Sequence, residues 1–171
     1  MKTQLLLGAG RHHDKRMGVE GDAEWGELTT LDSDPTTGAD VIHDLDDLPY
    51  LHFKDNEFDE VHAYETLEHC GSQGDWRFFF AQFDEFWRIL KPGGMLFATV
   101  PSAQSPWAWA DPGHRRLITA NTLQFLSRAW YVGALANTMA SDYRTAFVGD
   151  WEIVAGHDDN SQLKFVLRAI K

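Results

Sequence analysis

Cysteine is nearly missing from this chain: Cys70 stands alone among 171 residues. Neither an intrachain disulfide nor a thiolate metal cage can be assembled, which points to a reducing, cytoplasmic setting. Basic residues are also few. Fifteen Lys and Arg face 26 Asp and Glu, a formal net charge of −11, and the tightest basic group is His114-Arg115-Arg116. That group is large enough for one anionic moiety and too small to track a phosphate backbone, so nucleic acid is not an expected partner. Long apolar runs are lacking as well. None reaches membrane-spanning length, and the opening MKTQLLLGAG is too short for a signal peptide, so no membrane partner is expected. There is no internal repeat and no low-complexity segment.

What is abundant is aromatic surface. Seven Trp and eleven Phe can bury enough area to offset chain entropy, and the length suits one domain spanning residues 1–171. Gln4 to Leu7 reads as a buried parallel strand that ends in a glycine turn at Gly8 and Gly10. Arg11 to Glu24 is polar and forms a weak helix at most. Leu28 to Leu31 is a second strand, closed by Asp32-Ser33-Asp34-Pro35, and Asp40 to His43 a third. The link between them is too short for a crossover helix, so a loop replaces it. Phe58 to Tyr64 is the fourth strand.

From Asp75 to Leu90 the residues Trp76, Phe79, Phe80, Phe83, Phe86, Trp87 and Leu90 recur at helical spacing on one face, with Gln82, Glu85 and Arg88 opposite. Lys91-Pro92-Gly93-Gly94 stops this helix, and Met95 to Val100 follows as a fifth strand. Thr119 to Trp130 has helical periodicity. Thr145 to Val154 and Leu163 to Ile170 read as two closing strands of a seven-stranded sheet.

Several residues are placed for chemistry. Glycine after a strand lets a ligand approach the backbone, although Gly-x-Gly serves an ordinary turn as readily. Asp32 ends the second strand, where an open α/β fold offers a carboxylate to ribose hydroxyls; capping a turn with Asp34 and Pro35 is the competing role. Asp44 follows the third strand and precedes Leu45, Leu48 and Pro49, so a carboxylate and a neighbouring amide can meet an adenine edge. An exposed turn acid is its plainer reading. His12-His13-Asp14 is not expected to hold a metal, because adjacent residues rarely converge on one ion and no further ligands are spaced to join them.

In their order and spacing, LLLGAG, LTTLDSDP, ADVIHDLDDLPY, FDEVHAYETLEH and WRILKPGGMLFATVPS resemble the core of a class I S-adenosylmethionine-dependent methyltransferase, of the type 11-like short bacterial and phage form, over residues 4–102. The resemblance implies an α/β, Rossmann-like sandwich: a mostly parallel seven-stranded sheet with an antiparallel strand near the C-terminus and a reduced helix set. It implies S-adenosylmethionine as cofactor, held by Gly8, Ala9, Gly10, Asp32, Ser33, Asp44, Leu45, Tyr64 and Glu65, while Thr66-Leu67-Glu68-His69 matches the family's post-strand segment. Two places depart from the pattern. Leu6 stands where the family carries an acid and His12 where it carries a third glycine. The family's N-terminal covering helix also has no room before Gly8, so an open site, or one completed by a partner or a second copy, is expected.

A sulfonium already activates its methyl group, so such a site mainly aligns an acceptor, and a base is needed only where the acceptor must lose a proton. His114 and His69 are the candidates for catalysis, with Glu65 a further candidate for that base. Trp107, Trp109, His114 and Arg115 are expected to wall an acceptor that is a small molecule or an exposed group. Three other functions compete. A catalytically silent cofactor-binding subunit agrees with the altered first motif. A nucleic-acid methyltransferase would need a DPPY-like or Pro-Cys segment after the fourth strand, where Tyr64-Glu65-Thr66 stands. A nucleotide-dependent oxidoreductase would need a third glycine where His13 stands.

Overall fold

A computed structural model describes residues 1–19, 22–47 and 51–171; Leu48 and Pro49, expected beside the adenine-side acid, lie outside these. The described residues form a seven-stranded sheet of β1 (Thr3–Leu7), β2 (Glu27–Asp32), β3 (Val41–Ile42), β4 (Phe58–Tyr64), β5 (Leu90–Pro101), β6 (Trp151–Asp158) and β7 (Gln162–Ala169). The spatial order is β3-β2-β1-β4-β5-β7-β6. Strands β1 to β5 pair in parallel, and β7 runs antiparallel to both β5 and β6. This is the expected class, helix-poor between β1 and β3. No helix forms among the described residues of 11–24, and β2 joins β3 by a loop.

The helix α1 (Trp76–Ile89) begins where Asp75 accepts a hydrogen bond from the Phe78 amide at 3.1 Å, a cap that satisfies one of its free donors. Its inner face buries Phe80, Phe83, Phe86 and Ile89 in one core with Leu5, Leu7, Val61, Ala63, Leu96 and Ala98 from β1, β4 and β5. Each such side chain contributes roughly 1.5–3 kcal/mol by leaving water. The opposite face is not the solvated one that its polar residues suggest. Gln82 and Glu85 are buried: Glu85 accepts from the Leu51 amide at 2.8 Å and pairs with Arg88 at 2.7 Å, while Gln82 binds the buried Arg116.

Two further expectations are corrected. Lys91–Gly94 is not a turn ahead of β5 but lies within it. It is accommodated as a bulge opposite β4, since the register jumps from Phe58↔Leu90 to Glu60↔Met95, and Gly93 supplies a φ of +75°. The helix expected over 119–130 is split into α3 (Ala120–Gln124) and α4 (Arg128–Asn137), with Ser127 capping the second through the Trp130 amide. A short helix α2 (Trp107–Ala110) precedes them. Strand β6 starts later than expected, at Trp151. It is exposed from Glu152 onward, and its pairing with β7 is irregular between Ile153 and Ala155.

The second face of the sheet carries charge. Glu60 of β4 is buried and accepts from Lys2 at 2.6 Å, from His62 at 3.1 Å and from Gln4, with Lys15 at 3.5 Å. The Lys15 side chain is itself 2% exposed and pairs with Asp22 at 3.1 Å. His62 stacks on Phe97 and meets the edge of Trp25. The Tyr64 hydroxyl lies 2.7 Å from His62 Nδ1 and accepts from the Met17 amide at 3.1 Å. Lys15, Met17, Asp22 and Trp25 are thereby tied to this face of the sheet.

Burial pushes the Glu60 carboxyl up, but donors from His62, Lys2 and Gln4 and the charge of Lys15 outweigh it and hold the group well below the usual carboxylate range. Burial keeps His62 below its ordinary value despite Glu60. Both groups bind fewer protons folded than unfolded, so their stabilisation is complete above the unfolded values and drains away as pH falls. Glu60→Gln should cost about 3 kcal/mol at neutral pH, because Lys15 loses a buried partner. Urea titrations should show the gap from the unsubstituted chain narrowing as pH is lowered; a gap independent of pH refutes this account.

Candidate functional site

The strand order reverses between β1 and β4, and ligands of open α/β sheets bind outside the carboxyl ends of strands at such a point. At that edge β1 leads into Gly8 and Gly10, both in the left-handed region with φ of +59° and +58°. The Ala9 amide donates to the Leu31 carbonyl at 3.0 Å. The Gly10 amide donates to Asp32 Oδ2 at 2.8 Å, and Asp32 Oδ1 accepts from the Asp34 amide at 2.9 Å. The end of β2 therefore locks the glycine turn while each Asp32 oxygen keeps further acceptor capacity. A Cβ on Gly8 would lie 2.4 Å from Thr66 Oγ1, whereas one on Gly10 would meet nothing within 4 Å.

Beside this turn lies a cavity of about 370 Å³, within the usual range for small-ligand pockets. Its walls include Gly8, Asp32, Ser33, His43, Asp44, Leu45, Asp46, Glu65, Thr66, His69 and Arg115. Asp44 Oδ1 accepts from the Asp46 amide at 2.9 Å, and Asp46 forms an ion pair with Arg115. His43 Nε2 is buried there without a hydrogen-bond partner.

A second cavity, of about 330 Å³, shares Glu65 and His69 with the first and is closed by Glu68, Pro101, Ser105, Trp107, Asp111, His114, Ser161 and Gln162. Glu65 sits between the two. Its φ of +51° is a left-handed conformation that costs a residue with a Cβ roughly 1–2 kcal/mol. The conformation is held by its amide donating to the Thr99 carbonyl at 2.9 Å and by Gln162 Nε2 donating to Oε1 at 2.7 Å. Strain fixed in this way concentrates at functional positions.

Glu68 and His69 lie on a single 3-10 turn, Leu67–His69. Arg116 Nε donates to the Leu67 carbonyl at 2.9 Å, and the Arg115 amide to the Glu68 carbonyl at 2.9 Å, so the segment after α2 is stitched to this turn. The rings of His69 and His114 stand edge to face, 4.8 Å apart. Burial, with the neighbouring Glu65 and Asp111 charges adding to it, pushes the Glu68 carboxyl up to about 8.

Of the residues expected at a cofactor site, Gly8, Asp32, Ser33, Asp44, Leu45 and Glu65 line the first cavity, with Gly10 beside it. Ala9 and Tyr64 do not. They pack with Leu6, Met17, Trp25 and Leu28 in a separate cluster on the second face, where the Tyr64 hydroxyl serves segment 11–26. His69, His114 and Trp107 line the second cavity, whereas Trp109, as exposed as Trp107, does not, and Arg115 belongs to the first cavity. Sequence reasoning passed over His43, Glu68 and Asp111. Glu68 stands inside the Leu-Glu-His segment that drew attention to His69. Asp111 was visible only as part of a turn, where its Oδ1 does accept from the Gly113 amide at 2.7 Å.

A family model described as a methyltransferase domain matches residues 19–98. No functionally curated protein matches the chain by sequence. Solved structures share its fold at low identity. An S-adenosylmethionine-dependent methyltransferase from Archaeoglobus fulgidus superposes with a TM-score of 0.61 at 16% identity, over 98% of this chain and 86% of that one. A chain of the Haloferax volcanii complex between the Trm112 methyltransferase activator and a methyltransferase gives 0.61 at 17%, over 99% and 83%. The Burkholderia thailandensis 1,6-didemethyltoxoflavin-N1-methyltransferase, with that compound and S-adenosylhomocysteine bound, gives 0.60 at 16%, over 99% and 72%.

The fold is that of the Rossmann-like methyltransferases. The methyltransferase-domain match across residues 19–98 runs from ahead of β2 into β5, the part of this fold that carries the first cavity's Asp32, Asp44 and Glu65.

The two glycines of the turn differ in a way that stability measurements can read. Gly8→Ala should lose the left-handed cost of about 1–2 kcal/mol and, in addition, the clash with Thr66, whereas Gly10→Ala should lose only the former. Denaturant midpoints for the two variants check this, and equal losses would show that Thr66 moves aside freely.

Proposed function

We propose that the chain transfers the methyl group of S-adenosylmethionine to a small molecule or an exposed group held in the second cavity. The observation that carries this reading is the pair of cavities at the switch point, divided by Glu65 and His69, with the Gly8–Gly10 turn and Asp32 on one side and His114 on the other. The donor set suits the cofactor. Asp32 has acceptor capacity for ribose hydroxyls, His43 Nε2 lacks a partner, and the space beside Gly10 is open. Asp44 and Leu45 would flank the adenine. The amino-acid end cannot meet an acid at position 6, since Leu6 is buried on the second face; Glu65 is the carboxylate nearest to that role.

In this reading the cofactor supplies an activated methyl group, and the chain's own residues position the partners. Gly8 and Asp32 fix the ribose end, and Glu65 separates the cofactor from the acceptor. Trp107 offers an apolar wall, and His69 and His114 present polar groups to the acceptor. Positioning of this kind can supply several kcal/mol of the barrier. A second reading, in which a partner completes the cofactor pocket, draws on the activator complex of the Haloferax protein and on the exposure of Ser33 and Asp44 at the pocket rim.

Asp32→Ala should weaken S-adenosylhomocysteine binding by about 1.5–3 kcal/mol, the scale of hydrogen bonds to a charged group. Calorimetry on the folded variant tests it, and unchanged affinity removes Asp32 from the site. The reaction is tested by supplying methyl-labelled S-adenosylmethionine with fractionated lysate and following label into each fraction. With the labelled fraction as acceptor, His114→Ala should lower the transfer rate by about 100-fold while S-adenosylhomocysteine affinity changes little. A parallel loss of both would place His114 in the cofactor site instead.

A further inference from the structure

Glu68, His69 and His114 bring one donor atom each to within 4.8 Å of one another at the wall of the acceptor cavity. Glu68 is 2% exposed, yet neither of its carboxylate oxygens has a hydrogen-bond partner. Such a group is costly to bury without compensation. Its neighbour His114 Nε2 stands 3.9 Å from Oε1, and the same nitrogen is 3.8 Å from Asp111 Oδ2. Both distances are too long for hydrogen bonds. They suit atoms facing a common guest: donors bound to one ion at about 2.0–2.2 Å stand about 3–4 Å from each other.

The outer contacts agree. His69 Nδ1 lies 3.0 Å from the Gly113 carbonyl, an acceptor, so Nδ1 carries the proton and Nε2 keeps its lone pair. A backbone carbonyl behind one ring nitrogen is the usual support of a metal-ligating histidine. The turn that carries Glu68 and His69 is braced by Arg116 and by the Arg115 amide, which fixes the donors before any ion arrives.

We propose that Glu68, His69 and His114 form a binding site for a divalent ion of the first transition row. Two imidazoles with one carboxylate select zinc, cobalt, iron or manganese over magnesium and calcium, which prefer all-oxygen shells. Three protein ligands leave positions open, and these face the cavity bounded by Trp107 and Asp111. The site deepens the methyltransferase reading, on which its role rests. An ion there would hold an acceptor that carries an oxygen donor beside Glu65 and lower the acceptor's pKa, the proton passing to water at the cavity mouth before the oxygen takes the methyl group.

The test is a titration of the metal-stripped chain, residues 1–171, with Co²⁺, read by visible absorption. One equivalent should produce the ligand-field bands of a nitrogen- and oxygen-coordinated ion. Glu68→Gln and His114→Ala should each weaken binding at least tenfold, while His12→Ala and His157→Ala leave it unchanged. Absence of the bands, or their persistence at full strength in both site variants, overturns the proposal. Should His114→Ala fail to fold, the isosteric Glu68→Gln and proton NMR of the Co²⁺-loaded unsubstituted chain decide. The exchangeable His69 Nδ1 proton should move far outside the diamagnetic range, and its staying within that range likewise overturns the site. S-adenosylhomocysteine calorimetry on the metal-free chain is run separately. Failure there removes the methyltransferase reading and leaves the ion site standing, so the two failures are distinguishable.

Discussion

The buried carboxylate of Glu60 is the interaction on which the arrangement of this small sheet turns. A parallel sheet needs cover on both faces, and here α1 serves one of them while the other has a loop between β1 and β2. Apolar side chains alone give such a loop little reason to stay. Glu60 holds it electrostatically, drawing Lys15 from the loop, Lys2 from just ahead of β1, Gln4 from β1, and His62 from its own strand. Gln4 passes the connection onward by accepting from the Gly26 amide. The rings of Trp25 and Phe97 then pack against His62 beside the charged centre.

This division of labour leaves the carboxyl edge of the sheet to binding. Gly8 and Glu65 both leave their strands in left-handed conformations, for opposite reasons. At Gly8 the backbone must come close to Thr66, so the residue has no side chain. At Glu65 the side chain is kept in spite of the strain, and Gln162 from β7 holds it in place. A carboxylate retained where glycine would be easier points to a use for the carboxylate, and its position between two cavities agrees with one.

Much of this was legible in the sequence. The strands around Leu5, Val61 and Leu96 show as short apolar runs, and α1 through its aromatic spacing, because burial on a regular element imprints a period. Asp32, Asp44 and the glycine turn were found because their place relative to strand ends is fixed by the fold. What periodicity could not show was polar burial: Gln82 and Glu85 look like a solvated helix face and are instead partners for Arg116, Arg88 and the Leu51 amide. Tyr64 was implied by the resemblance alone; as the last residue of β4 it packs on the second face, whereas Glu65 leaves the strand in a left-handed conformation and lines the cavities. Glu68, Asp111 and His114 meet across 46 positions of sequence only because Arg115 and Arg116 bind the turn at Leu67 and Glu68, a long-range contact without local signature.

The irregular pairing of β6 has a consequence for the state in which the chain can exist. An exposed edge strand invites another chain to continue the ladder. Here the run of hydrogen-bonding groups is interrupted between Ile153 and Ala155, and Glu152 and Asp158 set charge along it. At the far edge, β3 offers only Val41 and Ile42 as a template. Both ends of the sheet are thus poor seeds for strand addition, and the chain is guarded against open-ended aggregation by the shortness of one border and the broken rhythm of the other.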